Sequence, residues 1–198
     1  MDIVKALLLF LHMAAGILWV GGLTYVRFIM LPALGRQQPQ VRGPVAVDLG
    51  PLTVRYLLRI AEITIFLGVV NVFAFGRIAR MTDFVSTTWG ASITLGFIGA
   101  VTMYLVGMLV TRPATLRIAA AVQESMALRA RLASLPDPGA ASADEKARIA
   151  TDQHALSAGL QTLSGVLDML GHQQRSALTL QVLIGVTVIA MMTVARLW

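Results

Sequence analysis

The stretch from Ile3 to Leu34, IVKALLLFLHMAAGILWVGGLTYVRFIMLPAL, constrains the chain more than any other. A helix needs about 20 apolar residues to cross a hydrocarbon core of roughly 30 Å. This run is longer than that, yet it carries a histidine, a tryptophan and an arginine. His12, Trp19 and Arg27 recur at a helical spacing near 3.6 residues and fall close to one face. Ionisable groups are costly in lipid, so that face is expected to look into the protein. Three more apolar runs follow, at about Leu52–Gly76, Thr87–Val110 and Ala177–Leu197.

Of 198 residues, 57% are hydrophobic and only 13% charged, and mean hydropathy is +0.75. An average soluble domain carries about 25% charged residues, so the composition implies a polytopic membrane protein. The net charge of +6 does not indicate nucleic acid, because the basic residues gather at the ends of apolar runs. No cysteine is present, which excludes disulfides, thiolate metal sites and haem attached through the chain's own thiols. The first run is too long for a cleavable signal and reads as a retained helix.

The connection GRQQPQVRGPVAVDLG, with its prolines and glycines, reads as irregular chain, and Pro51 as the start of helix two. In helix two, Glu62 follows Arg59 by three residues and lies at a depth similar to Arg27. An ion pair of Glu62 with Arg27 or Arg59 is expected, as a packing contact or as part of a proton pathway. Arg77, Arg80 and Asp83 form a short turn. In helix three, Gly96, Gly99 and Gly107 favour close packing of a neighbouring helix. Arg112-Pro113 marks the membrane exit, with a kink.

The chain stays helix-prone to Leu135. LPDPGAASADEK is a hinge, with Ser142 placed to cap the next helix before Glu145. Ile149, Leu156, Leu160, Leu163, Leu167 and Leu170, with Gln153 and Gln174 at the remaining positions, then form a heptad seam that continues through Ala177, Ile184, Val188, Met191 and Ala195. The expected fold is all-α. Residues 1–112 and 175–198 form a transmembrane four-helix bundle, and residues 113–174 a cytoplasmic helical hairpin. The hairpin reads as a structural stalk or as a docking site for a partner subunit. The first and third connections, with adjoining helix ends, hold all but four of the 16 Lys and Arg residues. The positive-inside rule therefore predicts an inner-membrane protein with both termini outside.

His154 and His172 fall off the seam and are expected in solvent, with His172 near the interface. His12 is different, being surrounded by apolar residues. Met191 lies at comparable depth in helix four. A histidine facing a methionine suits haem iron or Cu(I). Arg77 and Arg196 would suit haem propionates. Equally, His12 can bond a neighbouring helix while the methionines fill space.

LHMAAGILWVGGLTY resembles the first helix of copper-resistance D-like membrane proteins through His12, Trp19, Gly21 and Gly22. The same opening is similar to HemJ-type protoporphyrinogen oxidases, which are small multi-helix membrane proteins that bind b-type haem. The resemblance implies His12 as haem ligand, with Gly16 and Trp19 on the cofactor-binding stretch. It departs from the oxidases in lacking a lysine within a central span. The expected function is a b-type haem protein for electron transfer, alone or as a small subunit of a membrane redox complex, with a redox partner protein or a second copy as partner. Copper handling and a cofactor-free assembly role are the alternatives. No Walker loop, nucleophile triad or carboxylate cluster supports hydrolysis.

Overall fold

The computed structural model describes residues 2–75, 80, 82–137, 139 and 142–194. Arg77 and Arg196, expected beside a cofactor, lie outside the described residues. All regular structure among the described residues is helical. Helix α1 (Ile3–Tyr25) continues through a π-turn (Val26–Met30) into α2 (Leu31–Gly35). Helix α3 is Pro39–Phe75, and α4 is the short Asp83–Ser86. Helix α5 (Thr88–Val106) continues through a second π-turn (Gly107–Thr111) into α6 (Arg112–Ala133). Helix α7 runs 52 residues, Ala143–Val194. Four of these continuous helices are long and apolar enough to cross a membrane.

Each π-turn stands just ahead of a proline. Pro32 and Pro113 lack an N–H, and in a regular helix their rings would strike the carbonyls of Phe28 and Leu109. Both carbonyls lie inside the π-turns. Widening the turn by one residue removes the clash without ending the helix. The ring closes from Leu31 N–H to the Val26 carbonyl and from Arg112 N–H to the Gly107 carbonyl.

The helices pack as a square of antiparallel neighbours: α1 beside α3, α3 beside α5, α5 beside α7, and α7 beside α1. Glycines set the close approaches. A Cβ at Gly22 would come within 2.6 Å of Leu57 Cδ2. One at Gly99 would come within 2.5 Å of Val188 Cγ2, and one at Gly185 within 2.9 Å of Val20 Cγ2. The buried core joins Trp19, Leu23 and Val26 of the first span to Leu57, Met103, Leu178 and Val182. The outer surface of the bundle is also apolar: Phe10, Ile17, Phe66, Phe73, Leu109 and Leu183 are all exposed. Helices apolar all round, with an apolar exterior, are what a lipid solvent selects.

The expected irregular connection is corrected. Residues 39–51 are helical, and α3 passes through Pro44 and Pro51. Each interior proline costs a hydrogen bond, about 3 kcal/mol in an isolated helix. Packing on α6 offsets that cost. Gly43 lies against Val122 and Met126, and Gly50 against Thr115. The base of the α6–α7 hairpin is therefore a three-helix layer. Nearer the tip, Gly159 meets Leu128 and Ile149 is buried. The Ser142 cap forms, with its Oγ accepting from Glu145 N–H at 3.4 Å.

Candidate functional site

His12 sits on the inner flank of α1, half-buried against α3. Its Nδ1 lies 3.0 Å from the Thr64 carbonyl oxygen. A carbonyl only accepts, so Nδ1 carries the proton in this contact, and the basic lone pair belongs to Nε2. Thr64 is tied into its own helix, its hydroxyl donating to the Ile60 carbonyl at 2.8 Å. The imidazole rests on Gly68, where a Cβ would come within 3.0 Å of His12 Cε1. One turn along, Gly16 faces Thr64, with 3.8 Å from a built Cβ to Thr64 Cγ2. Asn71 occupies the same face of α3 and is 8% exposed. Its Nδ2 donates to the Leu8 carbonyl at 3.3 Å, while its Oδ1 is buried with no hydrogen-bond partner.

Trp19 is 4% exposed and belongs to the hydrophobic core. Met191 is half-buried, and the methionine that packs inward onto α5 is its neighbour: Met192 covers Gly96, whose Cβ would come within 2.7 Å of Met192 Cε. His12 lies on the α1–α3 edge of the square and Met192 on the opposite α5–α7 edge.

Glu62 pairs with Arg59 at 2.8 Å and accepts from the Tyr104 hydroxyl at 3.1 Å. Arg27 is not its partner. Its Nε donates instead to Thr179 Oγ1 on α7 at 2.8 Å, and its guanidinium lies over the Phe28 ring at 5.2 Å. The side chain of Arg59 is 74% exposed, and a surface pair of this kind contributes roughly 0–1 kcal/mol in water.

A second polar cluster escaped the sequence reading. Gln181, 2% exposed, donates to the Met103 carbonyl at 2.8 Å and accepts from Thr111 Oγ1 at 3.1 Å. Gln174 donates to Thr115 Oγ1 at 2.8 Å, and Thr115 donates to the Thr111 carbonyl. These groups border a cavity of about 90 Å³ between the two π-turns, closed by Trp19, Leu23, Leu57 and Met103. Such a space suits a few waters at roughly 30 Å³ each and is far below the 300–1,000 Å³ of ordinary cofactor sites. Gln181, a polar residue set in an apolar run, was the available signal.

Among the described residues no three His, Cys, Asp or Glu side chains group as a metal site. Comparison with protein-family models, with curated proteins and with solved structures finds no match to this chain.

Proposed function

We propose that this chain is an inner-membrane protein of four spans that binds a b-type haem through His12 and serves electron transfer. The observation that carries the reading is the His12 Nδ1–H bond to the Thr64 carbonyl. That bond selects the Nε2 lone pair as donor and holds the ring plane, as outer-shell carbonyls do for metal-bound histidines.

The donor set favours haem over copper. A porphyrin brings four of its iron's ligands, so one axial imidazole is enough to hold it. Bare Cu(I) needs several soft donors from the chain. The reading takes His12 as the residue that would hold the haem and does not depend on Met191. When bound, the group would supply one-electron exchange. The chain's own part is to fix the imidazole: Thr64 orients it, Gly68 leaves it room, and Gly16 keeps its flank of α1 slim.

Membrane placement rests on helix length and the apolar exterior. About 22 residues separate Lys5 from Arg27, roughly 33 Å at 1.5 Å per residue, which matches the hydrocarbon thickness. The basic end, with the hairpin, faces the cytoplasm by the positive-inside rule. The test is the absorption spectrum of the detergent-purified protein. A Soret band that is lost in His12→Ala is the expected result. A colourless protein carrying stoichiometric copper would replace this reading with metal handling, and a colourless metal-free one with an assembly role.

A further inference from the structure

The basic end of the bundle carries an open groove of about 420 Å³ between the π-turn of the first span and α7. It is lined by Arg27, His172, Arg175, Ser176, Thr179, Leu180 and Leu183. We propose that this groove binds the phosphate of an anionic phospholipid, with the lipid's acyl chains lying along Leu180 and Leu183. The proposal rests on the transmembrane placement above and is independent of the haem.

Two arginines, a histidine and a serine hydroxyl converge there with no carboxylate among the lining residues. Among the described residues, the ion pair present is Arg59–Glu62 on another face. Arg27 is built in rather than dangling. Its Nε is held by Thr179 Oγ1, and that hydroxyl in turn donates to the Arg175 carbonyl at 2.9 Å. The bonded chain fixes one guanidinium plane against the groove wall. Planar guanidinium groups suit phosphate oxygens.

The order of lining residues along α7 separates a lipid from a soluble anion. His172, Arg175 and Ser176 come first, then Thr179, then Leu180 and Leu183, which are 48% and 62% exposed. Polarity thus falls along roughly 12 Å of helix from Arg175 to Leu183. A free phosphate would use only the upper half. A phospholipid, polar at one end and apolar at the other, uses all of it, and basic pockets between spans recognise such headgroups.

The test is native mass spectrometry of the full chain, titrated in detergent with phosphatidylglycerol or phosphatidylcholine. Circular dichroism in the same detergent monitors folding. Phosphatidylglycerol adducts should persist where phosphatidylcholine does not. Arg175→Gln, which removes one charge-assisted contact from an exposed position, should lower phosphatidylglycerol occupancy about tenfold. His172→Ala should lower it less, and Arg131→Gln, in the hairpin, not at all. Excess inorganic phosphate should leave the adduct in place. Equal retention of both lipids, or unchanged occupancy in Arg175→Gln and His172→Ala, would overturn the proposal. So would full displacement by inorganic phosphate, which would assign the groove to a soluble anion. A chain that stays dispersed without detergent would overturn the membrane placement along with it.

Discussion

Gln181 and Asn71 are both amide side chains buried in apolar helices, and their surroundings make opposite demands. Gln181 satisfies both ends of its amide, on the Met103 carbonyl and the Thr111 hydroxyl. Gln181→Leu strands the Thr111 hydroxyl and takes one of two donors from the Met103 carbonyl, which keeps the Gly107 N–H; it is expected to cost about 1–3 kcal/mol, read as a fall in thermal midpoint in detergent. Adding Thr111→Val removes one stranded donor, so the double variant should recover part of the loss. Asn71 already leaves its Oδ1 without a donor. Asn71→Leu gives up one long bond to Leu8 and removes an orphan, so its midpoint should stay within about 1 kcal/mol of the parent. Equal destabilisation by the two leucines would show that the amides are equivalent. At His12 the sensitive neighbour is a glycine. Gly68→Ala would press a methyl group to 3.0 Å from the imidazole and should lower haem occupancy while leaving the helix content unchanged.

Individual helices show where local pattern and tertiary packing part company. The heptad seam of α7 was readable because leucine spacing reports a partner directly. Leu170, Ala177 and Ile149 are buried as expected. The segment before Pro51 was not readable, because proline and glycine signal breaks locally, while the α6 surface that rewards helix there is about 70 residues away in sequence. Small residues had the meaning expected of them: Gly96, Gly99 and Gly107 admit α7 or α3 side chains. Gly99→Ala must displace Val188, a β-branched side chain with little rotamer freedom. A loss of about 1–3 kcal/mol is expected, against almost none for Gly165→Ala, where a built Cβ meets nothing within 4 Å. In the hairpin, Ile149→Ala should cost about 2 kcal/mol or more. Limited proteolysis should find cleavage between α6 and α7 accelerated, while the helical content of the bundle is unchanged.

At the scale of the whole molecule, the four-helix plan was legible because span length and hydropathy are properties of single segments. The square order of the helices was not, since it depends on which faces meet. That order decides the chemistry. It sets His12 on the α1–α3 edge and Met192 on the α5–α7 edge. It also turns Arg27 towards Thr179 and leaves Glu62 to Arg59 and Tyr104. The haem-to-protein ratio of His12→Ala and Met191→Leu, measured side by side on protein purified in the same detergent, tests this division most directly. A ratio near the parent's in Met191→Leu and near zero in His12→Ala is the expected result. Parental haem in His12→Ala would contradict it.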